Sequence, residues 1–189
     1  MEKFIYICDN FLSSKECKDI IETYDRDLKV LGSPCNYEFK NLEATPFWKV
    51  ICEKLQVPLE EYKKENKEVD LTASFWQLAY LRLKKFKRDL CFGEFHSEHS
   101  ITFPNRVLNV QIYLTTHNCG TEFYNGDVIK SEAGRLAIFP AYFTHTHRGQ
   151  VCPQKKERYL LGGYIEFIKQ GINEESLVNE TNYITNGLN

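Results

Sequence analysis

The sequence predicts an α+β domain in which helices come first and an antiparallel β core follows. Residues 1–70 contain stretches with apolar residues at helical spacing. From Leu71 onward, short apolar and aromatic runs alternate with polar turns. With 189 residues, 42% hydrophobic and 14% aromatic, the chain can bury one sizeable core. We therefore expect a single domain over 1–189, with a helical part at 1–70, a jelly-roll core at 71–168 and a polar tail at 169–189.

Two helices are predicted in the N-terminal part. Ser13 or Ser14 can cap the first one, because a serine hydroxyl accepts a hydrogen bond from a free amide of the first turn. The second helix is predicted to start at Pro46, which suits a first-turn position, and to break at Pro58. The intervening residues 30–44 contain turn residues and are predicted to be irregular.

The β core is predicted from short runs rich in β-branched and aromatic residues, separated by turn signals such as Asn125-Gly126-Asp127. Many short strands at this spacing indicate a sandwich or a double-sheet jelly roll. The predicted strands lie at 73–83, 91–96, 106–114, 121–124, 127–129, 135–139, 143–151 and 158–168.

Composition narrows the functional classes. The formal net charge of -2 argues against a strongly basic nucleic-acid surface. We expect no membrane segment, because no apolar run reaches spanning length, and no signal peptide at the N-terminus. The cysteine count is odd and no CxxC pair occurs, which favours reduced thiols and a cytoplasmic location. The seven cysteines are at positions 8, 17, 35, 52, 91, 119 and 152.

A candidate metal site centres on His96-x-Glu98, since residues two apart on an extended strand point to the same face. A third ligand is expected from His145 or His147, which share a face by the same rule. All five histidines lie between positions 96 and 147, but His99 points away and is not expected to bind metal. Two histidines and one carboxylate form the donor set of non-haem Fe(II) oxygenases. A purely structural role for these histidines is the alternative.

Arg158 begins a run that alternates as a buried strand, and a buried guanidinium requires an anionic partner. Its planar geometry suits bidentate binding of a carboxylate. Tyr113 lies in the run 110–114 and could offer its hydroxyl to the same anion. The alternatives are a salt bridge from Arg158 to a nearby glutamate and a core position for Tyr113.

Several motifs then occur in one order along the chain. They are His96-x-Glu98, Tyr113-Leu114, Gly120-Thr121-Glu122-Phe123, Gly134-Arg135-Leu136-x-Ile138-Phe139-Pro140, His145-Thr-His147-Arg-Gly149 and Arg158-Tyr159. Over residues 73–168 the ordered set resembles the Fe(II)/2-oxoglutarate-dependent dioxygenases, in particular the prolyl-4-hydroxylase-like branch with its small phage and bacterial members. The resemblance implies a double-stranded β-helix, a jelly roll that holds the metal between its two sheets, with the N-terminal helices packed on one sheet.

The same resemblance implies the metal ligands. His96 and Glu98 match the family's proximal pair, with glutamate in place of the more usual aspartate. His147 best matches the distal histidine, and His145 is the alternative. Arg158 matches the basic residue that binds the C5 carboxylate of 2-oxoglutarate, and Tyr113 matches a tyrosine that helps to hold it.

The implied reaction hydroxylates an acceptor and converts 2-oxoglutarate and O2 into succinate and CO2, with Fe(II) as cofactor and ascorbate as a reductant. Branch analogy makes a peptidyl proline or another protein side chain the first acceptor to consider. The rival hypotheses are a cupin-like metal-binding jelly roll without 2-oxoglutarate chemistry and a non-enzymatic binding module.

Overall fold

The computed structural model describes residues 3–32, 37–71, 76–153 and 156–167, which are mostly sheet with two helices. The predicted polar tail at 169–189 lies outside the described residues. The helices are α1 (Ser14–Tyr24) and α2 (Pro46–Glu65). The strands are β1 (Tyr6–Cys8), β2 (Lys29–Leu31), β3 (Tyr37–Asn41), β4 (Trp76–Phe86), β5 (Arg106–Tyr113), β6 (Gly120–Phe123), β7 (Val128–Lys130), β8 (Leu136–Pro140), β9 (His147–Gly149) and β10 (Arg158–Phe167).

Local sequence explains where the helices begin. Ser13 caps α1 in a capping box: its hydroxyl accepts from the Glu16 amide at 3.2 Å, and the Glu16 carboxylate accepts from the Ser13 amide at 2.7 Å. The predicted break at Pro58 is wrong. Leu55 and Tyr62, on either side of it, are both fully buried in the core, so packing holds α2 through the proline. Within the described ranges, neither helix is long and apolar enough to cross a membrane.

The strands form two antiparallel sheets. The major sheet has seven strands in the order β1-β8-β5-β10-β4-β3-β2, and the minor sheet has three in the order β7-β6-β9. The expectation of irregular structure at 30–44 is wrong, because β2 and β3 occupy part of that segment and pair with each other and with β4. The predicted strand at 91–96 is also wrong, since only His96 forms a bridge, with His147.

Side-chain alternation on the central strands separates two buried layers. On β5, Val110 and Ile112 pack with α1 and α2 in one cluster. Tyr113, the next residue after Ile112, points to the other face and packs in a second cluster with residues of the minor sheet, such as Phe123 and Ile129. The helices thus cover one face of the major sheet, and the minor sheet faces the other. This arrangement agrees with the expected jelly-roll architecture.

The expectation that all seven cysteines are reduced is wrong for one pair. Cys119 and Cys152 form a disulfide with their Cα atoms 5.0 Å apart. Cys119 directly precedes β6, and Cys152 follows β9 by three residues, so pairing of these two strands brings the thiols together. Four cysteines of the described residues are free thiols, namely Cys8, Cys17, Cys52 and Cys91. Cys35 lies outside the described residues.

Candidate metal centre

A cavity of about 560 Å³ lies between the inner face of the major sheet and the minor sheet. His96, Glu98 and His147 line it, and so does Arg158. Side chains on strands β4, β5 and β10 form its floor, because every second residue of each strand points away from the helices. Four of the five candidate residues from the sequence therefore share one cavity.

His96, Glu98 and His147 form a compact cluster in which one ligand atom from each residue lies within 4.8 Å of the others. The Nε2 atoms of His96 and His147 lie 3.5 Å and 3.9 Å from Oε1 of Glu98. Two imidazoles and one carboxylate on one side of a shared space suit a divalent transition metal. The donor set and its spacing thus fit the ion that the sequence predicts.

Backbone pairing holds this cluster together. The amide of His96 donates to the His147 carbonyl at 3.0 Å, and the His147 amide donates to the His96 carbonyl at 2.9 Å. The amide of Glu98 donates to the carbonyl of Ala141, which follows β8, at 3.0 Å. A loop from before β5 is thereby fixed between β8 and β9. The same-face prediction for His96 and Glu98 therefore holds, although the segment forms a single bridge and not a strand.

Each imidazole of the cluster has one nitrogen committed to the backbone. Nδ1 of His96 lies 2.8 Å from the Glu94 carbonyl, and Nδ1 of His147 lies 3.0 Å from the His145 carbonyl. A carbonyl can only accept, so each Nδ1 carries the proton and each Nε2 lone pair faces the cluster. Both rings are therefore held in the tautomer that a metal ion requires.

The charge states of the cluster also suit a cation. Burial raises the pKa of Glu98, but the adjacent His96 and the charge of Lys84 outweigh it and hold that pKa at about 2. Burial and the neighbouring His96 lower the pKa of His147 to about 4. At neutral pH the carboxyl group is therefore ionised and His147 is neutral, which are the protonation states of metal ligands.

His145 and His99, the two histidines nearest in sequence to these ligands, lie outside the cluster. His145 is buried in a short 3-10 turn, where its Nε2 contacts the Lys3 carbonyl at 2.9 Å and its Nδ1 contacts the Thr144 hydroxyl at 3.0 Å. His99 packs against Tyr142 with ring centroids 4.6 Å apart. Parity alone could not separate His145 from His147, and the 3-10 turn before β9 is what makes them differ.

Two polar residues that the sequence reasoning did not select support the cluster. The Asn109 amide nitrogen lies 3.4 Å from both Oε1 of Glu98 and Nε2 of His147. The Arg106 guanidinium lies 3.4 Å from Oε2 of Glu98 and 3.6 Å from Glu166. Asn109 lies on the same inner face of β5 as Tyr113. Its polar side chain within a mainly apolar strand is the sequence feature that could have marked it as a site residue.

Arg158 is buried, with 3% of its surface exposed, yet the structure gives its guanidinium only neutral acceptors. Nη1 lies 3.3 Å and 3.2 Å from the carbonyls of Gly120 and Gln150. Its Nε has no hydrogen-bond partner, and no carboxylate of the described residues lies within 4.0 Å of the group. The alternative of a salt bridge to a nearby glutamate therefore finds no support here, and the group can bind an external anion.

Tyr113 lies behind the cavity wall. Its hydroxyl donates to Oγ1 of Thr121 at 2.7 Å, and Thr121 in turn donates to Oε1 of Gln111 at 2.6 Å. Thr121 and Gln111 line the cavity, whereas Tyr113 is fully buried and does not. The structure thus places two other polar side chains where the sequence predicted the tyrosine hydroxyl. Phe86 lies with its ring centroid 4.8 Å from the Arg158 guanidinium.

Sequence comparison alone finds no matching family model and no matching curated protein. Among solved structures, a viral collagen prolyl hydroxylase from Paramecium Bursaria Chlorella virus-1, in complex with 2-oxoglutarate, matches with a TM-score of 0.69 at 18% identity. The match covers 88% of this chain and 97% of that chain.

HygX from Streptomyces hygroscopicus, with nickel and 2-oxoglutarate bound, matches with a TM-score of 0.65 at 8% identity, over 86% of this chain and 82% of that one. A prolyl hydroxylase from Trichoplax adhaerens, in complex with a hypoxia inducible factor peptide fragment, has a TM-score of 0.63 at 11% identity, with coverages of 86% and 83%. The chain therefore has the fold of the prolyl hydroxylases and of related 2-oxoglutarate-dependent oxygenases.

Proposed function

We propose that this protein is an Fe(II)- and 2-oxoglutarate-dependent dioxygenase that hydroxylates an acceptor and releases succinate and CO2. The observation that carries the proposal is the pairing of two features in one cavity. One is the His96, Glu98 and His147 cluster, and the other is the buried Arg158, which has no carboxylate partner among the described residues. A metal site alone would fit many enzymes, but a metal site that shares a cavity with a guanidinium bound only by neutral groups fits an anionic cosubstrate.

His96, Glu98 and His147 would hold the ion through two imidazole nitrogens and one carboxylate oxygen, which leaves the other coordination positions to small molecules. When bound, Fe(II) supplies the redox chemistry that activates O2 with 2-oxoglutarate as the electron donor. The chain fixes the ligands in advance, since backbone carbonyls orient both rings and Asn109 contacts both Glu98 and His147.

Arg158 would bind the C5 carboxylate of 2-oxoglutarate, and the cavity-lining Thr121 and Gln111 offer polar contacts in the same wall. The role of Tyr113 is then to hold Thr121 and Gln111 through its hydroxyl, one contact away from the cosubstrate. Gly149 permits the close approach of the guanidinium, because a Cβ at that position would lie 3.1 Å from Nη2 of Arg158.

Two of the matched proteins guide the choice of cosubstrate and acceptor. The viral enzyme binds 2-oxoglutarate, and the Trichoplax enzyme is in complex with a peptide fragment. We therefore propose peptidyl proline or another protein side chain as the first acceptor class to test.

The first experiment is anaerobic addition of Fe(II) and then 2-oxoglutarate to the purified protein. A weak visible charge-transfer band is expected, followed on exposure to air by succinate formation in the presence of ascorbate. Absence of both the band and 2-oxoglutarate turnover would refute the oxygenase proposal. Metal binding without 2-oxoglutarate binding would instead favour a cupin-like metal protein, and binding of neither would favour a non-enzymatic module. Mass spectrometry of peptide pools for a gain of one oxygen would then identify the acceptor.

A further inference from the structure

The inner face of β4 carries two cationic side chains that the proposed reaction does not use. Arg82 and Lys84 are two residues apart on the strand, so they point to the same face, and both line the cavity. Tyr80 precedes them and Phe86 follows them on that face. Two cationic residues therefore lie side by side on the cavity floor, between two aromatic residues of the same strand.

The guanidinium of Arg82 is held in a defined orientation by neutral groups. Its Nε donates to Oδ1 of Asn41 at 3.0 Å, and Nη1 donates to the Tyr37 hydroxyl at 3.4 Å. The Phe39 and Tyr80 ring centroids lie 4.1 Å and 4.6 Å from its central carbon. Stacking between rings positions a guanidinium without neutralising its charge.

Lys84 crosses the neighbouring strand β10 at a glycine. A Cβ on Gly162 would lie 3.0 Å from both Cε and Nζ of Lys84, so the glycine leaves room for the lysine to lie across the cavity floor. Among the described residues, no carboxylate lies within 4.0 Å of Lys84 or of Arg82.

Arg106, in the same cavity, provides the contrast. It contacts two carboxylates, those of Glu98 and Glu166, and its guanidinium lies 3.7 Å from the ring centroids of both Phe103 and Tyr164. The lining side chains include four Arg or Lys residues and two Glu residues. A divalent metal and the 2-oxoglutarate dianion would cancel each other, so the loaded cavity keeps two uncompensated positive charges.

We propose that Arg82 and Lys84 form a subsite for an anionic group of the acceptor, a carboxylate or a phosphate, which is placed beside the carbon that is oxidised. This inference rests on the proposed function, because it assigns the acceptor to the same cavity as the metal cluster. A planar guanidinium and a nearby ammonium bind such a group through charge-assisted hydrogen bonds. The anion is carried by an acidic or phosphorylated peptide or by a small organic acid.

The test measures anion binding to protein loaded anaerobically with Fe(II) and saturated with 2-oxoglutarate. The probes are a blocked Gly-Pro-Glu-Gly peptide, its glutamine analogue, its phosphoserine analogue and free glutarate, followed by calorimetry or NMR. The two anionic peptides are expected to bind at least about 10-fold more tightly than the glutamine peptide. Glutarate that binds as tightly as the peptides would identify a small acid as the source of the anion.

The double variant Arg82→Gln/Lys84→Gln should lose this preference, whereas Lys49→Gln, an exposed lysine of α2, should keep it. Equal binding of glutamate and glutamine peptides by the parent protein would overturn the subsite, as would unchanged selectivity in the double variant or no binding of any probe. Anion binding needs no turnover. Selective anion binding by a protein that forms no succinate would therefore refute the proposed reaction alone, and succinate formation without anion selectivity would refute the subsite alone.

Discussion

The metal cluster and the Arg158 region of the cavity differ in how completely the chain satisfies its own polar groups. In the cluster, backbone carbonyls bind both imidazole Nδ1 atoms, and Arg106 and Asn109 contact the Glu98 carboxylate. At Arg158 the cation is buried but contacts only carbonyl oxygens, a cysteine sulfur and a ring face. The cluster is thus organised before a metal arrives, whereas the Arg158 region requires a ligand to balance its charge.

The largest expected effect comes from removing a ligand of the cluster. His147→Ala should weaken Fe(II) binding by more than about 100-fold, because losing a direct ligand costs more than the 10–100-fold typical of an outer contact. The measurement is anaerobic metal titration, with circular dichroism to verify folding. His145→Ala is the matched control and should weaken binding far less. The reverse ranking of these two variants would assign the distal ligand to His145.

The second-largest expected effect is on 2-oxoglutarate binding, and it distinguishes the Arg158 region from the metal cluster. Arg158→Gln should raise the dissociation constant of 2-oxoglutarate by roughly 10- to 100-fold, since a charged hydrogen bond contributes about 1.5–3 kcal/mol. Fe(II) binding should stay within about 2-fold, and Arg158→Lys should recover part of the affinity by restoring the charge. Titration of the visible band with 2-oxoglutarate measures this. An unchanged dissociation constant in Arg158→Gln would reject the assigned role.

The disulfide should affect the Arg158 region more than the cluster, because both carbonyls that contact the guanidinium adjoin the bridged segments. Cys119→Ser/Cys152→Ser should lower the free energy of unfolding by about 2–4 kcal/mol, as expected for loss of a native cross-link. Urea denaturation under non-reducing conditions measures the loss, and Cys52→Ser, at a free thiol on α2, is the control. Equal stability of the double variant and the parent would show that the bridge contributes nothing.

The smallest expected effect tests whether Tyr113 acts only through Thr121 and Gln111, which its hydroxyl contacts at 2.7 Å and 3.1 Å. Tyr113→Phe removes the hydroxyl that donates to Thr121 and should cost about 1 kcal/mol of stability, the typical net value of one hydrogen bond. The dissociation constant of 2-oxoglutarate should rise by less than about 5-fold. Thr121→Val, which alters the cavity wall itself, should have the larger effect on that constant. A larger effect from Tyr113→Phe would indicate direct contact with the cosubstrate.

The meeting of His96, Glu98 and His147 could be predicted because side-chain alternation and chain order determine which residues face each other in an antiparallel core. The same alternation explains why Gln111 lines the cavity and why Asn109 contacts the cluster from the same face of β5. Both are polar residues within an otherwise mainly apolar strand, and this contrast is visible only when the whole strand is considered. Choosing between His145 and His147 required a three-dimensional detail, the 3-10 turn at Phe143–His145.

Other features depend on contacts between segments that are distant in the sequence, so the local sequence does little to predict them. Strand β3 is only five residues long, and its backbone pairs with β4 more than forty positions later in the chain. Cys119 and Cys152 are separated by 33 positions and meet through pairing of β6 with β9. Tyr113 lies on the face of β5 that packs against the minor sheet, but the depth of a side chain behind a cavity wall depends on its neighbours' volumes, which alternation does not encode.

The backbone contacts that fix the two imidazole tautomers also bear on metal exchange. A site whose donors already face one another loses little conformational freedom when any divalent ion enters, so its affinity should follow the general order of transition-metal stability. That order places nickel, copper and zinc above ferrous iron. The ion carried by the protein after purification should therefore reflect the metal supply of the host cells, and assays should begin from chelated, iron-reconstituted protein.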